Sequence, residues 1–306
     1  MDINSEYIEL FTDIAQQIEL PKIEGFCLPQ SDNDYENTNQ EHNIKDIVTI
    51  DKNLKKKDEF GVVILEDGSA GAFYTSLDDT LIQLENHLEN IYSNIKDENQ
   101  STLSLIKKFN SHSLHERAIA LGAINAVSQF IMDKAGYIPT NKNNTSTGID
   151  QARQGERIGM IGYFSPLIKR LTEKGIEVLV LEKNPGRVEL QAGVVLTENV
   201  KDLTSCQHIL CTASTLINNT LDEVLSHSKQ AKSFSLIGPS GSSLPDILFE
   251  LGVDAIGGYH FTDIPSLKQA LAHKESWGHA GNKYQLTPED YPGVETLLNR
   301  IKNKAK

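Results

Sequence analysis

Glu182 stands twenty residues beyond Gly162, and the segment between them, GYFSPLIKRLTEKGIEVLVLE, opens on a glycine turn and closes on an acid at the end of an apolar run. A nucleotide-binding unit uses such a frame to hold a ribose hydroxyl with the carboxylate. The loop inside the frame is different. A dinucleotide fingerprint needs G-x-G-x-x-G, because bare backbone must reach the pyrophosphate and helix must pack closely on strand. Here the run is G-M-I-G-Y-F-S-P, from Gly159 to Pro166, with Tyr163 and Phe164 where backbone should be open. These aromatics are expected to close the mouth of a pocket and to disfavour pyrophosphate. Three readings of Glu182 remain: an acid orienting another polar ligand, an acid on a nucleoside or S-adenosylmethionine, or an exposed strand end.

Other side chains could do chemistry too. TASTLINN, Thr212 to Asn219, puts Ser214 and Thr215 ahead of a leucine-rich helix, and GPSGS, Gly238 to Ser242, repeats the pattern. Such hydroxyls cap helices, and the free amides of a helix start also attract a carboxylate or phosphate. His112 and His115 are three apart with Glu116 behind them. That spacing can put two imidazoles on one helix face, but no third ligand has diagnostic spacing, so capping or packing is favoured. His260 and Asp263, in GGYHFTD, are better placed for a transition metal ion. No Ser-His-Asp set emerges from spacing, and no G-x-S-x-G elbow is present. Cys27, Cys206 and Cys211 lack a CxxC pair and are expected to be buried, reduced thiols.

These residues need a frame. Ile3, Tyr7, Ile8, Phe11, Ile14 and Ile18 recur at helical spacing. Residues 28–58 are polar and read as a surface insertion. FGVVILEDGSAGAFYTS has two apolar runs around Asp67-Gly68, a hairpin signal. LDDTLIQLENHLENIYSNI and SLHERAIALGAINAVSQFIM read as helices, the second buried on most faces, with Ala118, Ala120, Gly122, Ala123 and Ala126 allowing close approach. A polar, aperiodic run places a boundary near residue 150, giving units 1–150 and 151–306. Beyond it, RIGMIG, EVLVLE, HILCTA, SFSLIG and DAIGGY alternate with helical patterns. Continuous apolar strands of that kind argue a parallel sheet covered on both faces, hence a Rossmann-like α/β fold. Ligands of such sheets bind outside the carboxyl ends of the strands, which is where the motifs fall.

At 306 residues, with 39% hydrophobic and 23% charged residues, the chain suits two globular units. The net charge of −13 works against nucleic acid and anionic membrane as partners. A small-molecule ligand is expected, with a homodimer as a further possibility. The acidic N-terminus lacks the basic start and apolar stretch of a secretory signal, and the expected location is cytoplasmic.

GMIGYFSPLIKRL, LEKNP, TASTLINNTLDEVL and LIGPSGSSLPDILFELGVDAIGG, in that order, resemble a family of Rossmann-like proteins labelled as heavy-metal chelation domains. ERAIALGAINAVSQ resembles the long helix of the smaller α+β, enolase N-terminal-like domain paired with it. The resemblance covers roughly residues 5 to 270. It implies a pocket between the two units. Gly162, Tyr163 and Phe164 would line it from the first strand, Glu182 and Asn184 from the second, and Thr215 and Asn218 from the third. Gly238, Pro239 and Ser240 would line it from the fourth, with Asn125 facing them from the long helix. The implied function is binding or processing of a small metal-chelating molecule. An enzyme using S-adenosylmethionine or another nucleoside, and a metal-binding scaffold without chemistry, are the alternatives. The insertion at 28–58 and the tail SWGHAGNKYQLTPEDYPGVETLLNR depart from the family pattern, and either could cover the pocket.

Overall fold

The computed structural model describes residues 2–29, 49–50, 59–87, 90–91, 93, 101–140, 152–273 and 275–304. Most of the expected insertion, the end of the helix expected over 77–95 and the boundary near 150 lie outside the described residues.

Helix α1, Ile3–Gln17, starts where the Asp2 carboxylate accepts a hydrogen bond from Asn4 N. It buries Ile3, Tyr7, Phe11 and Ile14, the stripe its periodicity predicts. Strands β1 (Ile23–Pro29), β2 (Thr49–Ile50), β3 (Phe60–Leu65) and β4 (Ala70–Tyr74) form a sheet in the order β2-β1-β3-β4. The expected hairpin joins β3 to β4 through Asp67 and Gly68, whose φ of +90° suits glycine. Strand β3 has no solvated face. Val63 and Leu65 enter the main core, while Val62 and Ile64 pack in a second cluster with Tyr259, Phe261 and Trp277.

Helices α2 (Thr80–Asn86) and α3 (Thr102–Ile106) precede α4, Leu114–Lys134, in which every residue from Arg117 to Met132 is buried. As the small residues predicted, other elements approach it closely. A Cβ placed on Gly71 of β4 would lie 2.2 Å from both Ala126 N and Gly122 O. The strand therefore rests directly on the helix backbone.

The C-terminal part contains β5 (Arg157–Ile161), α5 (Ser165–Glu173), β6 (Glu177–Leu181), β7 (Val194–Thr197), β8 (His208–Thr212), α6 (Leu221–His227) and β9 (Ser233–Ile237). It continues with α7 (Asp246–Glu250), β10 (Ala255–Phe261), α8 (Ile264–His273), β11 (Gly281–Leu286) and α9 (Val294–Lys304). The seven-stranded sheet runs β11-β10-β9-β8-β5-β6-β7, parallel throughout except for β11, which pairs antiparallel with β10. This is the parallel α/β sheet read from the apolar runs. β1, β2, β7 and β11 were not expected.

The tail supplies edge strand β11 and helix α9. It is fastened where Tyr291 Oη donates to Asp246 Oδ2 at 2.7 Å and Tyr137 Oη to Asp290 O at 2.9 Å. One hydrophobic cluster runs through the molecule, from Tyr7 and Phe11 through α4 to Cys211, Leu236 and Leu297. No described helix is long and apolar enough to cross a membrane.

Candidate functional site

The strand order puts the carboxyl ends of β9, β8, β5 and β6 side by side. The chain leaves β5 for β6 on one side, and β8 fills the other, so the topological switch point lies between β5 and β8. Open parallel sheets form their ligand crevice there.

Gly162 makes the turn after β5 with φ +84°, and its N–H donates to Leu181 O at 3.1 Å. A Cβ here would lie 3.2 Å from Thr212 Cγ2 and 3.7 Å from the Phe164 ring. The two loops of the switch point thus abut, with an aromatic edge beside the glycine. Tyr163 and Phe164 are half-buried and pack against the cluster that contains Ile168 and Val180.

After β6, Glu182 is half-buried and its Oε1 accepts from Asn184 N at 3.0 Å. Glu182 and Asn184 are therefore brought together. The Asn184 side chain is exposed.

After β8, Thr212 does the capping expected of Ser214 or Thr215. Its Oγ1 accepts from Ser214 N at 3.3 Å, and its carbonyl accepts from Thr215 Oγ1 at 2.7 Å. The turn so capped is a short 3-10 segment, Ala213–Leu216; α6 begins only at Leu221, with no side-chain cap. The expectation fails because the chain makes an extra tight turn before the helix. Asn218 Oδ1 accepts from Thr220 N and Oγ1, at 3.2 and 2.6 Å.

After β9, Gly238 has φ +118° and a Cβ on it would meet nothing within 4 Å. Its conformation, not its space, demands glycine. Pro239 opens the turn Pro239–Gly241, and Ser240 is buried within it. Ser240 Oγ accepts from Tyr74 N at 2.9 Å, while its carbonyl accepts from Asn125 Nδ2 at 3.0 Å. Asn125 also donates to Ala72 O at 2.8 Å, so one fully buried amide ties α4 to β4 and to the turn after β9. Its Oδ1 has no hydrogen-bond partner among the described residues.

Three clamps escaped sequence reasoning. One turn along α4, Gln129 donates to Phe261 O at 2.8 Å and accepts from Phe261 N at 3.0 Å. Ser128 Oγ accepts from Leu244 N at 3.0 Å. Arg117, 7% exposed, donates from Nε to Ile217 O and from an Nη to Ser111 O, each at 2.6 Å, fastening the loop after β8. Burial lowers the guanidinium pKa. Position in a helix read as apolar was the available signal for all three.

His260 Nε2 lies 3.1 Å from Asp133 Oδ1, whereas Asp263 accepts from Ser266 N and Oγ at 2.9 and 2.6 Å. The Ser266 bonds hold the Asp263 carboxyl below its usual range. The two residues considered for a metal are thus committed to different partners. Among the described residues no group of three or more His, Cys, Asp or Glu side chains is placed to hold a metal ion. Cys27, Cys206 and Cys211 are buried and in no disulfide, as expected, and desolvation pushes the Cys211 thiol up to about 12. It stays protonated, unlike a nucleophilic cysteine.

A Ser–His–carboxylate chain does exist, at the opposite end of the sheet. His208 Nδ1 lies 2.8 Å from Ser233 Oγ, and Nε2 lies 3.2 Å from Glu156 Oε2. Lys232 Nζ donates to Glu156 Oε1 at 2.6 Å. Ser233 and His208 are buried at the amino ends of β9 and β8, so the chain closes the lower edge of the sheet. Hydrogen bonding by Lys232, then by Arg153 N, holds the Glu156 carboxyl down near 2.

The fold is a Rossmann-like α/β sheet sharing one core with a smaller layer of strands and helices. Residues 147–288 match the family model DUF364 and residues 59–128 match DUF4213, both described as "Putative heavy-metal chelation". The two segments together cover more than half of the chain, which belongs to this family. An uncharacterised protein of Methanocaldococcus jannaschii is 27% identical over 196 residues, 62% of this chain and 73% of that protein. Two crystal structures of DUF364 proteins of unknown function share the fold. That from Pyrococcus horikoshii covers 94% of this chain and 98% of its own at TM-score 0.58 and 20% identity. That from Desulfitobacterium hafniense covers 92% and 98% at TM-score 0.63 and 15% identity.

Proposed function

We propose that the chain binds a small metal-chelating molecule in the crevice at the carboxyl ends of β6, β5, β8 and β9. The observation that carries this reading is the chemistry of those ends. Around the switch point stand the hydroxyls of Thr212 and Ser214, the Glu182 carboxylate and the open backbone at Gly238. Such a lining suits a ligand rich in carboxylate, amine and hydroxyl groups, as chelators are. The family description is compatible with it. The transition metal ion enters this reading as the chelator's cargo.

Pyrophosphate fits poorly, because the Phe164 ring edge stands 3.7 Å from the Cβ position of Gly162. NAD is therefore expected to bind much more weakly than the low micromolar range, measured by calorimetric titration. Low micromolar affinity overturns the assignment of these aromatics.

Glu182 is the acid to test. Losing a charged hydrogen-bond partner in a shielded site costs about 1.5 to 3 kcal/mol, roughly a tenfold to hundredfold loss of affinity. Native mass spectrometry of freshly purified protein should retain a small chelator, and Glu182→Gln is expected to weaken its binding by that factor with Tm unchanged. Calorimetry with amino-carboxylate and hydroxy-carboxylate chelators, with and without nickel, and with S-adenosylmethionine separates the proposal from a nucleoside-dependent enzyme. Equal affinity of variant and wild type returns Glu182 to the role of an exposed strand end.

A further inference from the structure

The histidines that spacing set aside have found a different partner. His115, in the first turn of α4, faces His87, which ends α2, with ring centres 5.1 Å apart and planes inclined by 11°. His87 Nδ1 lies 2.8 Å from Gln83 O. A carbonyl can only accept, so Nδ1 carries the proton and Nε2 presents its lone pair, the tautomer metal-binding histidines adopt when a backbone carbonyl orients the ring. The His115 ring makes no hydrogen bond to another described residue. Burial first, then the neighbouring His87, holds its pKa below the usual imidazole range.

We propose that His87 and His115 together bind a borderline divalent transition metal ion, Cu²⁺ most tightly, as a two-imidazole site on the outer end of α4. With metal–nitrogen bonds of about 2.0–2.1 Å, two imidazoles on one tetrahedral ion have ring centres about 5 Å apart, which the pair already matches. The planes are nearly parallel, so the His115 ring must turn for both lone pairs to meet one ion while His87 keeps its bond to Gln83 O. No third His, Cys, Asp or Glu completes a set among the described residues, so the remaining coordination positions are open to water or to a chelating small molecule. Asp79 and Glu116 act on His115 electrostatically in one sense and Lys108, paired with Glu116 at 2.7 Å, in the other, so the two imidazoles and not the surrounding charges would hold the ion. Nitrogen ligands of this kind select first-row ions in the order that peaks at copper. The site lies ten residues, about 15 Å along the helix, from Asn125, so it stands or falls independently of the crevice.

The test uses the full chain without an affinity tag. Calorimetric titration with CuCl₂ and with NiCl₂ is expected to show one specific site, and His87→Gln and His115→Gln are each expected to weaken it at least tenfold. His273→Gln is the control. That imidazole has the same Nδ1-to-carbonyl arrangement, with Gln269 O at 2.9 Å, but no facing ring among the described residues, and its loss should leave binding unchanged. Electron paramagnetic resonance of the copper-loaded wild type should show two equivalent nitrogen ligands, a readout independent of how the variants fold. Wild-type affinity in both variants, or a copper signal without paired nitrogens, overturns the proposal.

Discussion

Gly71→Ala is expected to destabilise the protein by about 3 kcal/mol or more, in the range where overpacking forces backbone to move. The reason is the kind of atom in the way. The added methyl carbon would stand 2.2 Å from Ala126 N and from Gly122 O, and 2.7 Å from Asn125 C, all backbone of α4. A flexible side chain could swing aside; a hydrogen-bonded helix cannot. Strand and helix would have to separate, lifting Phe73 from its seat on Gly122 and stretching the Asn125 bond to Ala72 O. Gly186→Ala is the comparison, since its new methyl would meet only the Asn184 side chain, at 3.4 Å, and should be nearly neutral. Denaturant midpoints read both. A Gly71→Ala midpoint equal to wild type refutes the direct contact of β4 with α4.

Asn125→Asp is expected to cost about 3 to 5 kcal/mol at neutral pH, as an uncompensated buried charge does. The change is nearly isosteric, so packing survives and electrostatics decides. Asn125 Nδ2 donates to Ala72 O and Ser240 O. A carboxylate there has only acceptors before it, loses both bonds and strands two buried carbonyls. The acid would have a folded-state pKa above its unfolded value, because only the neutral form tolerates the site. Such a group destabilises least below the unfolded pKa, and the penalty grows as pH rises until the folded pKa is passed. The gap in stability between variant and wild type should therefore widen from about pH 4 upward. A gap that narrows over that range contradicts the orientation assigned to the amide.

The elements with strong periodicity were legible before folding. Ile3, Tyr7, Phe11 and Ile14 mark α1, Asp67-Gly68 marks the hairpin, and the apolar runs mark five strands of the parallel sheet. The missed strands carry weaker signals. β1 has Gly25 near its middle and ends on Pro29; β7 is four residues with Val195 exposed at the sheet edge. In β11 only Tyr284 and Leu286 are buried, between polar neighbours. An edge strand such as β7 or β11 buries too little apolar surface to write a run of it; β1 lies between β2 and β3 and is buried from Gly25 to Pro29.

By itself the sequence determined which segments must be buried and where the strands end, because the hydrophobic effect acts through residue type and spacing. It therefore located the loops after β5, β6, β8 and β9, and the family resemblance rests on the same loops. Only the tertiary structure decided what those loops hold. Asn125 reaches Ser240 across 115 residues of chain and Gln129 reaches Phe261 across 132, while His115 meets His87 rather than His112. A hydrogen bond or a paired imidazole depends on direction and on a few tenths of an ångström. Those quantities exist only once the chain has closed on itself.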